Sequence, residues 1–333
     1  MAGEKLKIDF EGHYRKLLNA TYRNAALGTL ALLLFALMIG YSSKMVPALV
    51  LAGICFCFIL YLTRHYTRNY KKRISLINEP FHPAWQDFLE ESSLFYRNLS
   101  ETDKAVFNKR VQFFLAEKKV EGVSTEIDDD LKLLVAASAI IPTFAFPFFE
   151  YPNLKQVLIY PNSFDRKFQT SEESGRQDQI ISGMVGNGFM NGTLLLSKPD
   201  LINGFQGKNP NNVGIHEFVH LLDMADGAVD GLPEIFVANS YAVPWLQVIQ
   251  AEVRKIKKRK SDINPYSLTS NAEFLAVVSE YFFDNPEKFQ EKHPELYAHL
   301  CTIFQQRPDK PSLRWMGKLK PGFLTRKKRA MEA

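Results

Sequence analysis

The hydrophobic pattern of the chain begins with two long uncharged stretches. Residues 24–43 and 45–63 carry no charged side chain, and Lys44 separates them. Each stretch holds about 20 residues, which as a helix span about 30 Å, the thickness of the hydrocarbon core of a bilayer. Neither shows the polar stripe of a soluble amphipathic helix, and no cleavage site of small residues follows the first. The pattern predicts two transmembrane helices that form a hairpin over residues 24–63.

A third uncharged stretch, residues 134–149, is shorter and contains Pro142 and Pro147. Because helix-breaking prolines leave backbone groups that lipid cannot satisfy, this stretch does not suit a membrane span. We predict a buried helix that ends near Ile141 inside a soluble domain.

Beyond the hairpin, helical periodicity predominates. Capping residues and apolar spacing predict helices over residues 85–96, 100–122, 128–141, 211–227, 245–259 and 272–283. The segments KQVLIYP (155–161) and GTLLLS (192–197) are rich in strand-forming residues, and GNGFMNG between them is typical of turns. We predict GTLLLS as either an edge strand that binds an extended peptide or a core strand. The predicted fold class is α+β, dominated by helices, with a small sheet.

The charge of the chain is mild overall but unevenly placed. A net charge of +5 is too small to indicate nucleic-acid binding. Basic residues flank the predicted hairpin in segments 5–23 and 64–73, and only Lys44 lies between its helices. By the positive-inside rule, we expect both termini and the soluble region on the cytoplasmic side of the inner or plasma membrane. Three cysteines without a CxxC pair agree with a reducing compartment.

Two basic clusters have alternative explanations. They are RKIKKRK, residues 254–260, and RKKR, residues 326–329. In a membrane-tethered protein either cluster can contact anionic lipid headgroups. Alternatively both are solvated charge, and the first then lies at the C-terminal end of a helix, where cations suit the helix dipole. No nucleic-acid partner is expected, because no aromatic-interleaved patch or base-reading motif accompanies them.

The segment GIHEFVHLLDMADG, residues 214–227, contains the candidate chemistry. His216 and His220 are four residues apart, so on a helix they face the same way and can bind one Zn²⁺ ion. Glu217 lies about 100° further round the helix. It is too far round to be a ligand, but it is placed to act as general base on a water held by the ion.

A catalytic zinc site needs a third protein ligand, and three carboxylates are candidates. Asp223 shares the helix face of the histidines, but its side chain is short and lies a turn beyond His220, so it reaches the ion poorly. This favours a supporting role in which Asp223 orients a histidine or the backbone. Glu273 and Glu280 lie seven residues apart on one face of a later predicted helix. Glu273 also fits a capping box with Ser270. Spacing alone leaves the choice open.

The chain resembles a known family over residues 80–307. The stretches HEFVHLLDMADG and PYSLTSNAEFLAVVSEYFFDNPEKF, with LLVAASAIIP, VLIYPNSF and GTLLLS in order, are similar to the MtfA-like (Mlc titration factor A) zinc peptidases. That family in turn resembles the protease domain of anthrax lethal factor. The resemblance implies a zincin fold in which Glu273 is the third ligand. It also implies a tyrosine in the site seven residues earlier in the chain, here Tyr266. Glu280 then has a structural or supporting role. Typical members are soluble, whereas this chain begins with a hairpin.

The sequence therefore predicts a membrane-tethered zinc metallopeptidase with one Zn²⁺ per chain. Its substrate is a peptide or protein, Glu217 and Tyr266 are the catalytic residues, and Tyr266 stabilises the developing oxyanion. One alternative is a zinc-containing regulatory protein that captures a cytosolic partner with little or no proteolysis. Another is a membrane scaffold in which the HEFVH motif is coincidental. The predicted segments are a cytoplasmic N-terminal segment 1–23, the hairpin 24–63, a basic linker 64–79, the zinc metallopeptidase domain 80–310 and a basic tail 311–333.

Overall fold

The computed structural model describes residues 8–39, 45–162, 183–185, 192–207, 211–236 and 241–310. The chain divides into two compact units, residues 1–80 and residues 81–333. Each unit is described separately below. The predicted turn GNGFMNG lies outside the described residues apart from its last glycine, and so does the basic cluster 326–329.

The first unit consists of two long helices that pack against each other, α1 (Phe10–Ile39) and α2 (Met45–Ile77). A Cβ atom on Gly28 would lie 3.4 Å from Ile59 Cδ1, so the helices are in contact there. Large apolar side chains remain exposed along both helices, and Met38 at 74% is the most exposed. Both helices are long and apolar enough to cross a membrane, with windows of mean hydropathy 1.3 and 1.6. Helix α1 begins before the first predicted span, and helix α2 continues beyond the end of the second.

The second unit is built mainly of helices. They are α3 (Pro83–Ser92), α4 (Leu94–Arg97), α5 (Glu101–Glu117), α6 (Asp129–Ile140), α7 (Lys198–Phe205), α8 (Val213–Asp223), α9 (Ala242–Lys257), α10 (Asn271–Asp284), α11 (Pro286–Lys292) and α12 (Pro294–Phe304). Helix α6 confirms the predicted buried helix. The Asp128 side chain caps it by accepting a hydrogen bond from the Leu131 N–H at 2.8 Å, and Pro142 follows its end.

A four-stranded sheet accompanies these helices in the described part of the chain. Its strands are β1 (Lys119–Gly122), β2 (Gln156–Tyr160), β3 (Gly183–Val185) and β4 (Thr193–Ser197). The order across the sheet is β1-β2-β4-β3, with β1, β2 and β4 parallel and β3 antiparallel to β4. The two predicted strands are confirmed as β2 and β4. Together with the helices, this sheet confirms the predicted α+β class.

The structure decides one open choice and corrects one prediction. GTLLLS is the core strand rather than the edge strand, because β4 pairs with β2 on one side and β3 on the other, and all five of its residues are buried. The helix predicted to close at Gly122 ends at Glu117 instead, and the following residues form β1. Hydrogen bonds to β2, such as Lys119 N–H to Lys155 O at 3.2 Å, replace the helical ones there.

Helix α8 lies at the centre of the second unit and contacts α6, α7, α10, β3 and β4. Its apolar face is buried: Phe218 is fully enclosed and meets the ring of Phe114 at 5.9 Å and that of Tyr151 at 5.1 Å. A Cβ atom on Gly214 would lie 2.1 Å from Ser138 Oγ, so only glycine permits this approach to α6. This packing fixes the direction in which the polar face of α8 points.

Candidate metal centre

The two histidines of the HEFVH segment lie one turn apart on α8 and converge. His216 Nε2 and His220 Nε2 are 3.1 Å apart. The helix begins at Asn212, whose side chain accepts a hydrogen bond from the Ile215 N–H at 3.1 Å. It ends in a 3₁₀ turn at Gly227, which adopts φ 100. The helix predicted over residues 211–227 therefore has its N-cap at Asn212.

Glu273 reaches this pair from the first turn of α10. Its Oε2 lies 3.1 Å from His216 Nε2 and 3.5 Å from His220 Nε2. The backbone N–H of Glu273 donates to Ser270 Oγ at 3.1 Å, so Ser270 is the N-cap of α10 as the sequence suggested. The two interpretations of Glu273 are therefore compatible. Its backbone is capped while its carboxylate meets the histidines.

These three groups form a triangle of the size that a tetrahedral zinc ion requires. Bonds of about 2.0–2.1 Å in tetrahedral geometry place neighbouring ligand atoms about 3.3–3.4 Å apart. The sides of the triangle are 3.1, 3.1 and 3.5 Å. In the described part of the chain, His216, His220 and Glu273 are the residues grouped closely enough to hold a metal ion. The donor set fits zinc in atom type and spacing.

Glu280 contacts the other side of His216. Its Oε1 lies 2.6 Å from His216 Nδ1, and its Oε2 accepts a hydrogen bond from the Asn212 N–H at 2.5 Å. A carboxylate at Nδ1 favours the tautomer with its proton on Nδ1, which leaves the lone pair of Nε2 directed at the triangle. Glu280 therefore contacts the candidate ligand His216 at the ring nitrogen that faces away from the triangle.

Glu217 follows His216 on α8 and is 6% exposed. Burial raises the pKa of its carboxyl above the ordinary value, and the positive character of His216 and His220 opposes that rise. A carboxylate whose pKa is shifted upward toward neutrality is a stronger base than an exposed one. The environment of Glu217 suits proton transfer.

The carboxylates give the site a negative field. Burial alone would lower the pKa of His216, but the charge of Glu280 and hydrogen bonds with Glu273 and Glu280 raise it well above its ordinary value. Burial likewise opposes ionisation of Glu273, yet the contacts of its carboxylate with the rings of His216 and His220 bring its pKa to about 2. A field that attracts a proton this strongly also attracts a divalent cation. The electrostatics agree with the spacing.

His216, His220 and Glu273 are together called the metal group below. Tyr266 lies beside this group on a 3₁₀ turn, Pro265–Leu268. The centre of its ring lies 6.3 Å from that of His216, and the residue is 47% exposed. The side chain of Asn264 fixes the turn by accepting a hydrogen bond from the Tyr266 N–H at 3.0 Å. Tyr266 therefore adjoins the histidines on a side that solvent and a substrate can reach.

Asp223 is not in the metal group. Both of its carboxylate oxygens accept the Gly231 N–H, at 3.1 and 3.0 Å. Burial raises the pKa of Asp223 to about 6, although the Gly231 N–H works against this. The sequence singled out Asp223 but missed Gly231, whose signal was its position in DGLP, a turn-forming sequence.

Comparison with known proteins agrees with these observations. Residues 66–305 match the sequence profile of the family described as glucose-regulated metallo-peptidase M90. An uncharacterized protein of Synechocystis sp., slr2042, is 29% identical over 241 residues, which cover 70% of this chain and 87% of that protein. Mlc titration factor A of Salmonella agona is 27% identical over 237 residues, covering 67% and 86%. The protein of that name from Escherichia fergusonii is 27% identical over 235 residues, covering 68% and 87%.

Proposed function

Because the chain belongs to the family of glucose-regulated metallo-peptidases M90, we propose that it is a membrane-tethered zinc peptidase that hydrolyses peptide bonds. The observation that carries the proposal is the triangle of His216, His220 and Glu273, and the buried carboxyl of Glu217 interacts electrostatically with all three. These three residues would hold one Zn²⁺ ion. Such an ion lowers the pKa of a water molecule and polarises a substrate carbonyl.

Glu217 is the general base in this proposal. It accepts a proton from the water that attacks the peptide carbonyl and then donates it to the leaving amine. Its buried position supports the role, since burial raises its affinity for that proton. Glu280 holds His216 in the tautomer that a ligand needs. Tyr266 donates a hydrogen bond from its phenol to the carbonyl oxygen as negative charge develops there.

Substrate binding is proposed along the sheet edge formed by β3. Among the described residues that strand is the last of the sheet, next to β4, and it contacts α8, which carries the histidines. An extended peptide can add to such an edge through main-chain hydrogen bonds. This role replaces the one that the sequence had suggested for GTLLLS, because β4 has no unpaired edge.

A second candidate function is capture of a partner without cleavage. The relatives named Mlc titration factor A are named for titration rather than for peptide cleavage. The same zinc-containing group could then stabilise a binding surface. Substitution of Glu217 separates the two candidates, because a binding protein does not need a general base.

The test compares full-length wild type with Glu217→Gln. The variant keeps both histidines and the shape of the side chain but cannot accept a proton. We expect it to retain one zinc per chain and to cleave a peptide library about 100- to 10,000-fold more slowly. Tyr266→Phe should also retain zinc and mainly lower kcat. Glu121→Gln on the exposed strand β1 is the control and should behave as wild type.

Two results would decide against the proposal. Cleavage by Glu217→Gln at the wild-type rate contradicts the role of Glu217. A wild-type protein that binds zinc, cleaves no peptide of the library and releases no protein fragments in cells favours the capture function.

A further inference from the structure

The C-terminal end of α8 is fixed to a segment outside the metal group. Asp223 is the last residue of α8 and lies three residues after His220. It holds the backbone N–H of Gly231 with both carboxylate oxygens, at 3.1 and 3.0 Å. The carbonyl of Gly231 accepts a hydrogen bond from Trp245 Nε1 at 2.7 Å. Gly231 is therefore held on both sides of its backbone.

Gly231 in turn lies against the start of α10. Its φ is +81, and a Cβ atom there would lie 2.3 Å from the carbonyl oxygen of Asn271 and 2.5 Å from the carbonyl carbon. Asn271 is the first residue of α10, two residues before Glu273. Glycine is required both by the left-handed backbone and by this approach. The contact fixes the turn of α10 that carries Glu273.

We propose that Asp223 and Gly231 are positioning residues that set the distance between His220 and Glu273. One end of the contact chain begins three residues from His220 and the other ends two residues from Glu273. Metal ligands have to be held within about 0.5 Å of their binding geometry, so a small displacement of the first turn of α10 opens the triangle. The inference rests on the proposed function, because this distance matters only if the group holds a metal ion.

The experiment measures zinc dissociation constants of full-length, initially metal-free protein. Gly231→Ala places a methyl group against Asn271, and Asp223→Ala removes the acceptor for the Gly231 N–H. Gly227→Ala is the matched control, because Gly227 also has positive φ, +100, but a Cβ there meets no atom within 4 Å. Asp223→Asn tests rescue, since its amide keeps an oxygen acceptor. The melting temperature of each metal-free variant is recorded in parallel.

We expect the dissociation constant for zinc to rise about 10- to 100-fold in Gly231→Ala and Asp223→Ala. It should stay near the wild-type value in Gly227→Ala and recover largely in Asp223→Asn. Backbone strain alone should lower the metal-free melting temperature of both glycine variants.

Three results would overturn the inference. The first is wild-type zinc affinity in folded Gly231→Ala or Asp223→Ala, and the second is an equal loss of affinity in Gly227→Ala. If Gly231→Ala does not fold, the Asp223 variants alone decide. The third is a wild-type protein that binds no zinc, and this result overturns the proposed function as well. If only the positioning role fails, the wild-type protein still binds zinc.

Discussion

Glu273 and Glu280 lie seven residues apart on one face of α10, and both contact His216 through different nitrogens. The Glu273 carboxylate faces Nε2 and also approaches His220, whereas that of Glu280 faces Nδ1 and the start of α8. One face of α10 therefore makes two different contacts, because positions about two turns apart meet opposite edges of one imidazole ring.

This difference predicts unequal effects of substitution on zinc binding. Glu273→Ala removes a ligand and should weaken zinc binding by several orders of magnitude. Glu280→Gln keeps a hydrogen-bonding partner for His216 and should weaken it by only about 10- to 100-fold. The measurement is zinc content after dialysis against graded chelator. A site emptied by Glu280→Gln and filled in Glu273→Ala would reverse the assignment of the two residues.

At the residue scale, residue spacing predicted that the two histidines meet, whereas the separate roles of Glu273 and Glu280 came only from the family resemblance. The spacing of His216 and His220 followed from helix periodicity alone. The choice among the carboxylates depends on how α8 and α10 pack, which no local pattern contains. The sequence did not indicate Gly231, because glycine is required there by a close contact with Asn271, which lies 40 positions later in the chain.

At the scale of elements, a charged cluster joins α9 to the junction between α11 and α12. His293 Nε2 lies 2.8 Å from Asp262 Oδ1, and its Nδ1 lies 3.1 Å from Glu252 Oε1 on α9. Lys292 and Tyr281 also contact Asp262, and Lys255 and Ser261 contact Glu252. The cluster holds the C-terminal helices together away from the metal group.

The cluster predicts a pH-dependent contribution to stability. Burial opposes protonation of His293, but attraction to Glu252 and Asp262 raises its pKa above the ordinary value. A raised pKa in the folded state means that this stability is fully present below the unfolded value, about 6.5, and is lost as the pH rises through the folded value. His293→Gln should destabilise the protein by about 2 kcal/mol at about pH 6, with a smaller difference at about pH 9.

Denaturant unfolding at a series of pH values measures this effect. Protonation of Glu252 does not contribute to the pH dependence of unfolding between about pH 6 and about pH 9. Attraction to His293 and hydrogen bonds from Lys255 and Ser261 overcome burial and lower the pKa of Glu252 to about 2, so its own contribution is lost only in acid. His299→Gln, which alters a histidine paired with Tyr241, is the control. An unfolding difference that is constant with pH would contradict the role of the His293 proton.

Elements that depend on a distant partner were the ones that the sequence missed. Residues 119–122 contain lysine and glutamate, which favour helix locally, yet they form β1 because β2 offers a parallel edge. The position of β4 inside the sheet likewise depends on β3, a strand of three residues without a predictive pattern of its own. Helices with their own caps and apolar faces, such as α6 and α10, were predicted almost to the residue.

At the scale of the whole molecule, the proposed membrane tether would limit the substrates that the proposed peptidase can meet. Two helices long and apolar enough to cross a membrane precede the second unit by a short connection, because α2 ends at Ile77 and α3 begins at Pro83. If the chain is a tethered peptidase as proposed, its substrates are proteins that reach the membrane surface. The side of the membrane on which the second unit lies would then determine its pool of substrates.

The distribution of charge predicts that side. Five basic residues precede the first uncharged stretch: Lys5, Lys7, Arg15, Lys16 and Arg23. Five follow the second directly: Arg64, Arg68, Lys71, Lys72 and Arg73. Only Lys44 lies between the stretches. Basic residues close to membrane spans remain cytoplasmic, and two spans return the chain to its original side. We therefore expect the metal group in the cytoplasm, where cytosolic proteins and cytosolic segments of membrane proteins are available as substrates.

Topology reporters fused after Arg73 and after Ala333 test this orientation. A fluorescent protein that matures only in the cytoplasm should be bright at both positions, and alkaline phosphatase, active only outside, should be inactive at both. A phosphatase inserted after Ser43, in the predicted outer turn, is the positive control and should be active. Acidic residues introduced on either side of the hairpin should leave the reporter activities nearly unchanged, because lysine and arginine rather than net charge set the orientation. Phosphatase activity at both fusion points after the hairpin would place the metal group outside, and the substrates would then be exported proteins.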